Sequence, residues 1–80
     1  MVRFCRHAKL KFRVLRLHHF PVTEQQVRDA VLAPERTMPG YGGRRIAEKS
    51  IDAEHALRVV YEELSGEIDV ITFYPVRRRD

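Results

Sequence analysis

The chain changes its structural grammar at Pro34. Proline lacks a backbone N–H and pushes the preceding residue out of helical geometry, so a helix that reaches Ala33 stops there. Before that point apolar residues recur at helical spacing. After it stand Pro39-Gly40-Tyr41-Gly42-Gly43 and then three runs rich in β-branched and aromatic residues. Two helices followed by a run of strands indicate an α+β domain.

The helix that Pro34 closes has a well-marked start. Thr23 is a good N-cap and Gln26 stands three residues later, the pattern of a capping box. Val22 before the cap and Val27 inside it have the spacing of a hydrophobic staple, and Val27, Ala30 and Val31 form an apolar stripe. These signals predict a helix over 23–33. The segment before it reads two ways. Lys9-Leu10-Lys11-Phe12-Arg13-Val14 alternates like a half-buried strand, whereas Phe4, Ala8, Phe12 and Leu15 share one side of a helical wheel. Thirteen or so residues without Gly or Pro exceed a typical strand of about 5–6 residues, which favours a helix over 5–18.

The runs Arg44–Ile51, Ala56–Glu63 and Glu67–Val76 are joined by hairpin-length connectors, which predicts an antiparallel meander. Residues 36–38 offer a short extra strand. The expected fold is therefore one domain over 1–80: α+β, with two N-terminal helices packed on a three- to four-stranded antiparallel sheet. A chain of 80 residues buries only about 60–65% of its unfolded surface. Its site should be an open groove or a sheet face, not a deep cavity.

The charge is segregated. Residues 1–23 hold six Lys/Arg, three of the four histidines and no acid; residues 24–76 hold six basic and ten acidic residues; Arg77-Arg78-Arg79-Asp80 is basic again. Such a distribution suits a phosphate-bearing or otherwise acidic partner, with affinity that falls as salt rises. A solvated basic face is the plainer alternative. Cys5 is the single cysteine, which excludes an intramolecular disulfide and fits a reducing, cytoplasmic setting. Residues 1–20 carry six cations and no apolar run longer than two, so neither a secretory leader nor a membrane segment is expected.

Few residues suggest chemistry. His18 and His19 are adjacent and diverge by about 100° on a helix, and no ligand spacing for a metal occurs, so no metal or other cofactor is expected. Cys5 and His7 point to different sides of a helix, which leaves Cys5 to the core. Gly40, Gly42 and Gly43 lack a phosphate-loop pattern and read as a turn. Arg45, Ala47, Lys49 and Ile51 share one strand face; Ala56, Arg58, Val60 and Glu62 share another. Arg58, mid-strand among apolar neighbours, must face solvent, pair with Glu48 or Glu62, or line a site. A cross-strand ion pair is as good an account as a site. Tyr74 beside Arg77 and Arg78 places an aromatic next to cations, a pairing that can stack bases and hold phosphates.

Arg6-His7-Ala8, Phe20-Pro21-Val22-Thr23, Gly42-Gly43-Arg44, Leu57-Arg58-Val59-Val60-Tyr61-Glu62 and Val70-Ile71-Thr72-Phe73-Tyr74 occur in an order that resembles a family of small prokaryotic proteins of unknown function, itself related to BrnT-type and RelE-type toxins. The resemblance spans nearly the whole chain. It implies a RelE-like helix–helix–sheet fold whose exposed sheet face binds messenger RNA, and metal-independent cleavage in which the ribose 2′-hydroxyl attacks the adjacent phosphate. His7 matches the family's His-Ala motif and Arg58 its central-strand arginine; Lys49, Tyr74, Arg77 and Arg78 lie in comparable regions. The Leu17–Phe20 link departs from the shorter Arg-Gly link of many relatives.

Two classes of function follow. In the first the chain is a toxin-like endoribonuclease, with His7, Arg58 and Tyr74 catalytic and Arg45, Lys49, Arg77 and Arg78 binding RNA. Arginines would stabilise charge on the phosphate, and His7 would transfer protons. In the second it is a non-catalytic nucleic-acid-binding module, or a protein-interaction domain docking an acidic partner such as an antitoxin. His7, Arg58 and the Arg77-Arg78 tail are expected to converge on one groove.

Overall fold

The computed structural model describes residues 1–78. Its elements run β1 (Val2–Phe4), α1 (Arg6–Leu17), α2 (Glu24–Leu32), β2 (Arg36–Pro39), β3 (Arg45–Ser50), β4 (His55–Leu64) and β5 (Glu67–Arg77). The strands form one sheet in the order β1-β5-β4-β3-β2.

Both predicted helices form within a residue or two of their expected limits, including the ambiguous Lys9–Val14 segment. The α2 start is the capping box in full. Thr23 Oγ1 accepts from the Gln26 backbone N–H at 3.1 Å, and Gln26 Oε1 accepts from the Thr23 N–H at 2.9 Å. Two N–H groups that helix geometry leaves without partners are thereby satisfied.

The expectation of an antiparallel sheet of three or four strands needs correcting. The sheet has five strands and is mixed, because Val2–Phe4 adds to the edge of β5 in parallel, with Val2 opposite Ile68 and Phe4 opposite Val70. β2, β3, β4 and β5 pair antiparallel in succession. The added strand is three residues long, too short for alternation to reveal, and its partner lies at the far end of the chain. A parallel neighbour needs a long crossover, and here the two helices and three strands between β1 and β5 supply it.

Alternation then sorts the sheet into two faces. Ala47, Leu57, Val59, Tyr61, Val70 and Phe73 point toward the helices and form the core with Ala8, Val22, Val27, Ala30 and Val31. Phe12 of α1 sits between Phe4 and Phe73, its ring centroid 5.5 Å from one and 4.6 Å from the other. A register shift at Val60/Tyr61 pairs Val60 with Thr72 but Tyr61 with Val70, so Ile71 is an extra residue on β5. This bulge keeps both Val70 and Phe73 on the core face although they are three apart in sequence. The Cys5 thiol donates to the Ile71 carbonyl at 3.2 Å, so the cysteine serves packing at the bulge. The β4–β5 hairpin closes on Ser65 and Gly66, both with positive φ (52° and 80°), as a two-residue turn matched to strand twist requires.

Candidate functional site

The helices leave one sheet face uncovered, and register decides what stands on it. Glu48 of β3, Arg58 of β4 and Tyr74 of β5 are consecutive cross-strand partners, and Arg36 of β2 pairs with Glu48 on the other side. A row Arg36–Glu48–Arg58–Tyr74 therefore crosses four strands on that face. Ser50, Ala56 and Val76 lie one step further along the same strands.

Glu48 organises the row. Its Oε1 accepts from Arg58 Nε at 2.7 Å and lies 3.5 Å from Arg36 Nη2, so two guanidiniums share one carboxylate oxygen. The Arg58 pKa is raised above its ordinary value, first by the hydrogen bond to Glu48 and to a lesser degree by Tyr74. Only Nε of Arg58 is used by the carboxylate, which leaves its terminal amino groups for another acceptor. The cross-strand ion pair weighed from sequence is real, and it aims the arginine.

Beside the row lies a groove of about 300 Å³ lined by Glu35, Arg36, Glu48, Ser50, Ala56, Arg58, Val76, Arg77 and Arg78. Glu35 accepts from both the backbone N–H and the hydroxyl of Ser50, at 3.0 and 2.9 Å. Those bonds, together with nearby Arg78 and Lys49, hold its pKa below the usual carboxylate value. The Arg78 backbone N–H donates to the Glu54 carbonyl at 2.8 Å, which ties the end of β5 to the β3–β4 turn. Arg36, Arg58, Arg78 and two carboxylates thus meet at one end of the open face, and Arg77, opposite His55 on β4, borders the groove at its edge. Other cations of that face are neutralised close by: Arg3 by Asp69 and Glu67, Arg44 by Glu62.

The structure brings Arg58, Tyr74, Arg77 and Arg78 to this region and keeps the other expected site residues away. Lys49 and Arg45 pair with Leu57 and Tyr61, which face the core, so both cations emerge on the helix-covered side. Lys49 borders a hollow with Gln26 and Asp29 of α2, and Arg45 donates to Thr37 at 3.3 Å. His7 is exposed in the first turn of α1, a helix packed on the opposite side of the sheet from Arg58. The expected convergence of His7 with Arg58 is therefore corrected: sheet thickness separates them. Arg79 lies outside the described residues.

Sequence reasoning missed Arg36, Glu35 and Ser50 as groove residues. Arg36 and Met38 do alternate with Thr37 and Pro39, but only the β2–β3 register connects that strand to Glu48. Among the described residues no group of three or more His, Cys, Asp or Glu side chains is placed to hold a metal ion, and no helix is long and apolar enough to cross a membrane. No family model, curated protein or solved structure matches the chain.

Proposed function

We propose that the protein binds single-stranded RNA across its uncovered sheet face, with phosphates in the arginine groove and a base against Tyr74. The observation that carries this reading is the Arg36–Glu48–Arg58–Tyr74 row. It offers preset guanidinium donors next to an aromatic on the open face, the combination that holds backbone and base together in single strands. Ala56, Val60 and Val76 continue the face as a low, uncharged floor. A flat face with one tyrosine suits splayed bases better than a duplex, whose bases are stacked inward. The choice of RNA rests on the resemblance to RelE-type toxins, as does membership of a RelE-like fold.

RNA cleavage is the second reading, and Tyr74 beside Arg58 favours it. The guanidinium would stabilise charge on a phosphate while the tyrosine hydroxyl lies within the same site. His7 has no part in this version, because its helix is on the other side. The 2′-hydroxyl would be the nucleophile, and its oxygen would displace the 5′-oxygen to leave a 2′,3′-cyclic phosphate.

The test is binding of an oligouridine and an oligothymidine to wild type, Arg36→Ala, Arg58→Ala and Lys49→Ala across a salt series. Each groove arginine lost should flatten the slope of log K against log salt by about 0.7 for a single strand. Lys49→Ala should leave it unchanged. A slope that responds to Lys49 but not to Arg36 or Arg58 would refute the placement. Cleavage products that vanish in Tyr74→Phe and persist in His7→Ala would support the second reading.

A further inference from the structure

Helix α1 carries an outward surface that the fold leaves uncovered. Its inward residues Ala8, Phe12 and Leu15 are taken up by the core, yet Leu10, Val14 and Leu17 are 55, 45 and 69% exposed. Their i, i+4, i+7 spacing makes one straight apolar stripe about 10 Å long. Arg6, Lys9, Arg13 and Arg16 fall along one flank of that stripe and Lys11 along the other.

These five cations differ from five of those elsewhere in the molecule. Arg3, Arg28, Arg36, Arg44 and Arg58 each have a carboxylate within 4.0 Å, whereas no α1 cation forms an ion pair among the described residues. Nor does the helix hold any acid of its own. Like charges stand at i,i+3 and i,i+4 along the flank (Arg6 and Lys9, Lys9 and Arg13, Arg13 and Arg16), a spacing at which they repel. Arg6 sits at the positive end of the helix dipole, and Cys5 makes no side-chain cap. These local electrostatic choices on α1 are unfavourable in the isolated chain, and each would be relieved by anionic groups laid alongside.

We infer that α1 is a docking surface for an acidic amphipathic helix of a partner protein, its leucines packing on Leu10, Val14 and Leu17 and its carboxylates on the Arg6–Arg16 flank. A nucleic acid would satisfy the cations and leave the apolar stripe in water. A membrane surface would use both, but three aliphatic side chains along about 10 Å give an interfacial helix little apolar area to bury. A helix with apolar and acidic faces side by side matches both features at their spacing. This surface lies on the opposite side of the sheet from the arginine groove, so it is independent of RNA binding.

The experiment uses the full chain and three probes: a synthetic amphipathic peptide with leucines at i, i+4, i+7 flanked by glutamates, oligouridine, and vesicles containing phosphatidylserine. The peptide should bind and raise Tm. It should lose affinity at least tenfold in the stripe variant Leu10→Gln/Leu17→Gln and in the flank variant Arg13→Ala/Arg16→Ala. A version of the peptide with lysines for glutamates should not bind. All four substituted positions are exposed, so both variants should keep the wild-type Tm without peptide, and oligouridine affinity at the sheet face should survive the leucine changes. The inference fails if the acidic peptide does not bind or binds both variants like wild type. It fails equally if vesicles or oligouridine are the probes whose binding depends on Leu10 and Leu17.

Discussion

Val59 and Val60 allow the assignment of sheet faces to be tested with one substitution made twice. They are consecutive on the central strand, identical in chemistry, and face opposite sides: Val59 is 0% exposed in the core, while Val60 is half-buried on the open face between Ile46 and Thr72. Strand propensity and backbone effects are shared, so they cancel in the comparison. Truncating Val59 to Ala removes two buried carbons, about 1.6 kcal/mol of transfer free energy at about 0.8 per carbon. A residual void of roughly 40 Å³, at about 24 cal/mol per Å³, adds about 1 kcal/mol. The same change at Val60 forfeits roughly half the transfer part and leaves no void, so its cost should stay near ~0.8 kcal/mol. A domain of this size is stable by only about 4–12 kcal/mol in all, so a difference of roughly 1.5–2 kcal/mol is easily measured. In urea, with m of about 1 kcal/mol/M, the two midpoints should separate by about 1.5–2 M. Equal midpoints would refute the two-faced sheet, and a larger loss at Val60 would mean that the helices cover the other side.

Two further outcomes follow from local chemistry. Asp52 accepts from the backbone N–H groups of Glu54 and His55 and from the His55 ring, and its pKa is lowered, first by the Glu54 bond, from an ordinary value of 3.8. A lowered folded-state pKa contributes stability above that ordinary value which is lost as pH falls through the folded one, so Asp52→Asn should flatten the acid limb of a Tm–pH profile below about pH 4. Thr23→Ala should cost about 1 kcal/mol by removing the capping box, read as a Tm lower by about 4–8 °C.

What could be read in the sequence was what local chemistry specifies. Thr23, Gln26 and Pro34 define α2 without help from the rest of the chain, and Ser65-Gly66 defines its hairpin. Arg58 was visible as an anomaly for the same reason, a cation inside an apolar run. Register was not legible, because Glu48 meets Arg58 only if β3 and β4 align as they do, and a shift by one would have put Lys49 there instead. The same gap hid β1 and allowed Arg45 and Lys49 to be grouped with the groove. His7 was misplaced for a different reason: nothing in a helix's own sequence states which side of a sheet it will cover.

The β1–β5 ladder also bears on how the molecule is made. It ties Arg3 to Asp69 across 66 positions of chain, so β1 leaves the ribosome well before the strand it pairs with. Until β5 emerges, Phe4 and Phe12 have no Phe73 to pack on, and α1 can exist only as a loosely held, highly charged segment. At about 5–20 residues per second that interval lasts several seconds, far longer than a helix or hairpin needs to form. Docking of β1 and α1 is therefore gated by synthesis, and in a nascent chain stalled before Val70 both should remain protease-sensitive.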